Sequence, residues 1–460
     1  MLALHDTATG RVGELQLRDP GELAMYVCGP TVYGAPHVGH GRMTLAYDLL
    51  RRYLEHRGLV VHHVSNVTDI DDTIINRANA EARPWQEIAE ECEAQWWSAM
   101  DGLGILRPHE TPHATAYVAE MVELIAELLA SGAAYQTSDG VYLAASKIPG
   151  YGLLAHQSLD SLRAGARVDV IEEKRSPVDF VLWKAAKPNE PSWPAPFGEG
   201  RPGWHTECVV MSLALLGEDF DLHGGGQDLM FPHHENERAQ AVAAGRRFTR
   251  HWMHNGLVTV SGEKMSKSLG NFTTLAELLE QTGPRAYRML SVRAHYRSPL
   301  EVNAETLQDA SAALARVDAL ARRFPGAAMS EHPLAREEAA RFAAAMDDDL
   351  DSPRATAGLF EALRRAHALA DQGDGGGAEA LAGAVRSLFS VLGIDSGETA
   401  AVDEREAAAA EALVGRRDAA RGARDFAAAD ALRAELEALG YAVEDTPGGT
   451  RIHRRPAQAG

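Results

Sequence analysis

The apolar run Met25 to Cys28 reads as a short buried strand; Gly29-Pro30 ends it, and after the Gly34-to-Pro36 turn a helical pattern starts near Val38. Leu45, Leu49, Leu50, Tyr53 and Leu54 recur at helical spacing, and Gly58 suits the C-terminal cap. LVVHHV, residues 59–64, reads as a second buried strand. Strand, helix and strand in that order predict a parallel sheet with a right-handed crossover. The loop at 65–75 then falls at the carboxyl ends of the strands, where such sheets bind ligands. Its aspartates, Asp69, Asp71 and Asp72, are expected as caps and solvated charges more than as metal ligands.

From about Pro84 to Gly132 the pattern is helical, and AAYQTSDGVYLAA predicts a hairpin turning at Ser138-Asp139-Gly140. Pro149 to about Pro202, rich in Gly, Pro and Trp, reads as an irregular insertion between two halves of the sheet. Further on, the strand-like GLVTV precedes GEKMSKSLGN (262–271), and Thr274-Leu275-Ala276-Glu277 has the form of a capping box. Past Pro299 the chain turns to Ala- and Arg-rich amphipathic helices, interrupted at 325–333 and 371–377. MDDDLD (346–351) is expected to be solvated charge ahead of a helix. A composition shift at Ser396 to Asp403 precedes a helix bearing Arg416, Arg417, Arg421 and Arg424, a second helix to Leu439, and a hairpin. The expected architecture is α/β: a Rossmann-like parallel-sheet domain (1–115 and 200–255) with an insertion (116–199), a loop junction (256–305), a helical bundle (306–398) and a small C-terminal α+β domain (399–460).

With 460 residues, 45% of them hydrophobic and 24% charged, the composition is that of an ordinary globular protein. No apolar run approaches a membrane span and the N-terminus lacks a signal pattern, so a cytoplasmic location and no membrane partner are expected. Cys28, Cys92 and Cys208 form no C-x-x-C pair, which argues against a disulfide framework. Cys92 lies in a helical stretch and is expected to be a small packing residue. The net charge of −20 predicts repulsion from polyanions, so any nucleic-acid surface must be a local concentration of arginine.

Candidate chemistry sits in three places. His37 and His40 flank a helix start, where free N–H groups and partial positive charge suit a phosphate, and the glycines at 39 and 41 let a ligand approach the backbone. The chain has six lysines, and two of them, Lys264 and Lys267, lie three apart in a Gly/Ser-flanked loop, as mobile point charges for phosphate would. No G-x-G-x-x-G follows the first strand, which speaks against a dinucleotide site. In the third place, His233 and Glu237 share a helical face, as do Trp204 and Cys208, while His234 is expected to point away. Cys208, His233 and Glu237 can then converge on Cys28 as a tetrahedral zinc set, although scattered Cys and His are also ordinarily structural. Gly224 to Gly226 read either as a tight strand-to-helix turn or as backbone opened to a nucleoside.

HVGH (37–40) and KMSKS (264–268), in that order and widely separated, resemble the paired nucleotide motifs of class I aminoacyl-tRNA synthetases. With Cys28, GWHTEC (203–208) and FPHHENE (231–237), the chain resembles the bacterial cysteinyl-tRNA synthetases over essentially its whole length. The resemblance implies activation of L-cysteine by ATP with Mg²⁺ and transfer to the 3′ end of tRNA(Cys), by a monomer. It implies one Zn²⁺ per chain on Cys28, Cys208, His233 and Glu237, selecting the cysteine thiol without an editing domain. It assigns catalysis to His37, His40, Lys264 and Lys267, and ATP binding to those residues with Gly39, Gly226 and Asp228. Cysteine contacts fall to Gly29, Thr31, Thr68 and Trp204. Residues 116–199 would face the acceptor end of tRNA, the helical bundle would lie on the anticodon side, and 399–460 would read the anticodon. One alternative is a zinc-dependent ligase joining cysteine to an amino-sugar, which needs no anticodon-reading tail; another is a non-catalytic zinc protein that binds RNA.

Overall fold

The computed structural model describes residues 2–165, 173–260, 263–264, 274–394, 404–423, 425–439, 441–446 and 449–454. The chain forms two compact units, Met1–Ser396 and Gly397–Gly460. The first opens with a hairpin of β1 (Ala3–Asp6) and β2 (Arg11–Glu14). Then come β3 (Glu22–Val27), α1 (Val38–His56) and β4 (Val60–Ser65), with β3 and β4 parallel in register from Glu22–Val60 to Val27–Ser65. Gly58 at φ 86° takes the left-handed turn that ends α1. Next are α2 (Asp72–Glu81), N-capped by Asp71, and α3 (Trp85–Gly102). The expected helical run to Gly132 breaks here. Gly104 at φ 71° and Pro108 and Pro112 turn the chain extended, so that His109 and Ala114 donate to the carbonyls of His63 and Val67, before α4 (Val118–Ala130) resumes.

The hairpin of β5 (Ala134–Thr137) and β6 (Gly140–Leu143) turns where expected. After α5 (Leu159–Gly165), the segment read as irregular supplies β7 (Phe180–Ala185) and β8 (Gly200–Pro202), and all four strands form one antiparallel sheet. Lys184 and Arg201 both pair with Asp72, fastening this sheet to α2. The chain returns through α6 (Trp204–Leu216), β9 (Phe220–Gly226), α7 (Glu235–Ala243) and β10 (Thr249–Asn255). The main sheet is wholly parallel, in the order β10-β9-β3-β4. Parallel strands place Val27, Ser65, Gly226 and Asn255 at one edge, so the loops that follow them share a single rim.

A three-stranded sheet follows, built from β11 (Val258–Val260), β12 (Glu263–Lys264) and, after α8 (Leu275–Thr282) and α9 (Pro284–Val292), β13 (Leu300–Val302). Thr274 and Glu277 form the capping box of α8. The bundle comprises α10 (Ala304–Arg323), α11 (Pro333–Met346), α12 (Ser352–Asp371) and α13 (Gly375–Val391). Its core is continuous with that of α1, through Leu50, Tyr53, Tyr287, Leu314, Phe342 and Leu388. The acidic run 346–351 departs from expectation. Asp349 is buried and accepts from Tyr296, Arg297 and the backbone of His5, partners far away in sequence.

The second unit packs α14 (Glu404–Gly422) and α15 (Phe426–Ala438) with a hairpin of β14 (Tyr441–Thr446) and β15 (Gly449–Arg454) around Leu413, Leu432, Leu436 and Tyr441. Arg416 is exposed, but Arg417 is buried and donates to the Thr450 hydroxyl, so it belongs to the core; Arg424 lies outside the described residues.

Candidate metal and nucleotide site

Four side chains from four elements meet beneath the rim. Cys28 follows β3, where its backbone N–H donates to the Gly224 carbonyl at 3.0 Å. Cys208 lies one turn into α6, His233 in an irregular helical turn before α7, and Glu237 in the first turn of α7. Cys28 Sγ is 3.6 Å from Cys208 Sγ and 3.5 Å from Glu237 Oε1; His233 Nε2 is 3.7 Å from Cys208 Sγ and 2.9 Å from Glu237 Oε1. All four are buried, and their donor atoms lie within 4.8 Å of one another. Two sulfurs, one imidazole nitrogen and one carboxylate oxygen are a donor set that zinc takes.

The four donors sit close enough to shift one another's ionisation. Burial pushes the Cys208 thiol up, yet its contacts with Cys28 and His233 bring it down to about 6. Burial acts against the charge on His233 too, but Glu237 and Cys208 lift that imidazole to about 10. Glu237 is held well below the carboxylate range despite burial, by His223 and His233. Cys28 behaves the other way, its thiol pushed well up by burial and by Cys208 and Glu237, so the four donors share too little positive charge for every one of them to ionise unless a cation joins them.

Neighbouring groups orient the donors. His233 Nδ1 is 2.9 Å from His205 Nδ1, which leaves Nε2 toward the cluster, and Trp204 stacks on the His233 ring at 4.0 Å. Asn66 accepts from Gly29 N–H at 2.9 Å through Oδ1, which also lies 3.7 Å from Cys208 Sγ. A Cβ at Gly29 would overlap the Asn66 carbonyl, so this close approach of two loops requires glycine. Thr68 lies beneath the rim, and its hydroxyl donates to Glu207 at 2.7 Å.

Against expectation, His234 does not point away. Its Nε2 is 3.3 Å from Cys28 Sγ, and its Nδ1 is 2.7 Å from His254 Nε2. His223 Nε2 is 2.5 Å from Glu237 Oε2, so Cys28, His223, His234 and Glu237 form a second set of metal-type donors. The cluster is wedged between α6 and the sheet. One histidine therefore faces Trp204 and the next faces Trp252, both inward. His223 and His254 lie inside β9 and β10, where neither motif nor helical spacing marks them as site residues. Gly224–Gly226 are strand residues; Gly224 packs against the ring of Tyr47, whose hydroxyl donates to the Met253 carbonyl at 2.8 Å.

Above the cluster opens a cavity of about 420 Å³. Gly29, which follows Cys28, and Trp204, stacked on His233, line it together with Thr31, His37, Gly39, His40, Gly226 and Asp228. His37 caps α1, and it and His40 each accept the other's backbone N–H through Nδ1, with their rings stacked at 3.6 Å. Asn255 to Val258, which lead into β11, line it as well. Lys264 lies on β12, paired with Thr259, while Lys267 lies outside the described residues. Leu275 N–H donates to the Pro36 carbonyl at 2.8 Å, so the helix after the lysine loop abuts the entrance to α1.

Residues 14–312 match the model of the class I (C) tRNA synthetase catalytic domain, 341–395 the DALR domain, and 403–453 the cysteinyl-tRNA ligase anticodon binding domain. The cysteine–tRNA ligase of Halorhodospira halophila is 44% identical over 99% of this chain and 100% of its own length. That of Escherichia coli O127:H6 is also 44% identical at the same coverages, and that of Pseudomonas paraeruginosa is 46% identical over 93% of this chain and 94% of its own. Among solved structures, Mycobacterium tuberculosis methionyl-tRNA synthetase in complex with methionyl-adenylate superposes with a TM-score of 0.58 at 16% identity, over 81% of this chain and 90% of that one. A putative arginyl-tRNA synthetase from Campylobacter jejuni gives 0.54 at 13%, over 82% and 94%. Structures this distant in sequence speak to the fold alone, whereas the full-length relatives and the three domain matches go further: the chain belongs to the cysteine–tRNA ligase family of class I tRNA synthetases.

Proposed function

We propose that this protein activates L-cysteine with ATP and transfers it to the 3′ end of tRNA(Cys). The observation that carries the reading is the adjacency of two sites: buried Cys28, Cys208, His233 and Glu237 lie beneath the cavity that Gly29 and Trp204 share with His37 and His40. A cysteine whose side chain reaches down toward the cluster leaves its carboxylate up among the phosphate-binding groups. In this reading zinc occupies the cluster and, when bound, supplies an affinity for a thiolate sulfur that a neutral serine hydroxyl does not match. That accounts for selecting cysteine over its near-isostere with no editing site.

The chemistry has two steps. A cysteine carboxylate oxygen attacks the α-phosphorus of Mg²⁺-bound ATP, the bond to the bridging oxygen breaks, and pyrophosphate leaves. A ribose hydroxyl at the tRNA terminus then attacks the aminoacyl carbonyl, and AMP departs. The protein's part is to position reactants and stabilise charge. His37, Gly39 and His40 at the N-terminus of α1 take the phosphates, Lys264 and Lys267 approach the leaving pyrophosphate, and Asp228 beside Gly226 accepts from the ribose. Gly29, Thr31 and Trp204 hold the amino acid, while Thr68, read as a cysteine contact, is buried with its hydroxyl on Glu207 and does not line the cavity.

A ligase joining cysteine to an amino-sugar would share the metal and nucleotide residues, but the match at 403–453 to an anticodon binding domain favours tRNA as acceptor. Cysteine-dependent ATP–pyrophosphate exchange, followed by transfer to tRNA(Cys) or to an amino-sugar, tests the reading. Exchange without transfer to tRNA would sink it.

A further inference from the structure

The segment 291–298, the end of α9 and the turn after it, belongs to neither nucleotide motif but touches both α1, which starts beside His37, and the chain that leads into β11. It is gripped from two sides. Buried Arg42, five residues past His37, donates through Nη1 to the carbonyl and hydroxyl oxygens of Ser291 at 2.8 and 2.7 Å and through Nη2 to the His295 carbonyl at 2.7 Å. From the bundle side, Asp349 Oδ1 accepts from the Tyr296 hydroxyl at 2.7 Å and from His5 N–H at 2.8 Å, while Oδ2 accepts from Arg297 Nε and Nη2 at 2.8 and 2.5 Å.

The turn in its own right supports the cavity wall. Gly256 N–H donates to the Tyr296 carbonyl at 2.8 Å, and a Cβ at Gly256 would sit 2.5 Å from the carbonyl oxygens of Arg297 and Ser298. Leu300 N–H donates to the Leu257 carbonyl at 2.9 Å, β13 runs parallel to β11, and β11 pairs Thr259 with Lys264. Asp349 and Leu350 hold left-handed backbone conformations, φ 55° and 51°, which side chains other than glycine resist and which persist where surrounding contacts over-determine them.

We propose that the 291–298 segment is the joint that sets the spacing between the N-terminus of α1 and the β11–β12 strands that carry Lys264, with Arg42 and Asp349 as its positioning residues. Neither lines the cavity; each acts through backbone it holds. This rests on reading the cavity as the ATP site. Transfer at phosphorus tolerates little misplacement, so loosening the joint by about 1 Å lowers turnover by on the order of 100-fold without touching a ligand.

The test compares ATP–pyrophosphate exchange kinetics, metal content and thermal unfolding in Arg42→Met, Asp349→Asn and the milder Tyr296→Phe, which removes one hydroxyl and keeps the fold if the larger changes do not. An amide at 349 sets N–H against the Arg297 guanidinium. The expected result is a loss of kcat/KM for ATP of about 10- to 100-fold in the first two variants and several-fold in Tyr296→Phe, with metal content and the KM for cysteine at parent values. Arg297→Met in the Asp349→Asn background should add little further loss, since both break one pair. An active parent whose folded variants keep parental ATP constants, or raise the KM for cysteine as much as the KM for ATP, overturns the joint alone. A parent with no cysteine-dependent exchange overturns both the joint and the reading beneath it.

Discussion

Replacing His223 by Phe decides which donors hold the metal. Glu237 Oε1 faces Cys28 and His233, while Oε2 lies 2.5 Å from His223 Nε2, and His223 and Glu237 are both fully buried. If the ligands are Cys28, Cys208, His233 and Glu237, His223 only orients the carboxylate. Phe keeps the ring stacked on Trp252, now 4.7 Å away, and removes the nitrogen. Loss of such an orienting partner costs about 10- to 100-fold in metal affinity, or about 1.4–2.7 kcal/mol. Cys208→Ser removes a ligand instead and should cost far more. Competition with a chromogenic chelator reads both affinities, and cobalt substitution reports the ligands through visible absorption. The reasoning is refuted if Cys208→Ser binds metal like the parent while His223→Phe does not bind, for the ion would then sit on Cys28, His223, His234 and Glu237.

Three further outcomes are expected. Gly29→Ala, which drives a methyl into the Asn66 carbonyl, should lower cysteine-dependent exchange by on the order of 100-fold with metal retained; a variant within threefold of the parent would show that the loop yields. In the cobalt-substituted protein, cysteine should raise a new sulfur-to-metal band and serine should not, with cysteine affinity climbing as pH approaches the free thiol value of about 8.5; a spectrum blind to cysteine in an active enzyme would make the metal structural. Removing 397–460, a compact unit, should spare exchange but weaken tRNA charging and its salt dependence, and equal loss of both activities would contradict a separate tRNA role.

The strand–helix–strand core was legible in the sequence because its burial is periodic: Met25, Leu49 and Leu50 declare their faces locally, as does the Thr274–Glu277 capping box. Whatever depended on partners distant in the chain was not. Asp349 reads as solvated in MDDDLD because nothing nearby announces Tyr296 or His5, 53 and 344 residues away. Arg417 likewise looks like surface charge until Thr450 meets it. His234 was misjudged for a different reason: a helical wheel supposes one buried side, and here the cluster is enclosed by α6 and by the sheet. In 149–202 the glycines and prolines hid β7 and β8, whose pairing with β6 and with each other repays a weak local pattern.

The two thiols at the base of the cavity, 3.6 Å apart, stand about 1.5 Å beyond a sulfur–sulfur bond. A cation held between them would keep both sulfurs committed and apart. Were a chelator to remove it, a two-electron oxidant small enough to pass Trp204 would find a nearly assembled dithiol, and closing it would consume two of the four proposed donors at once. Metal loss in air would therefore become an inactivation that added zinc alone does not reverse, and that yields only to a reductant supplied first. Purification without thiol, more than metal scarcity itself, would be the hazard for this enzyme.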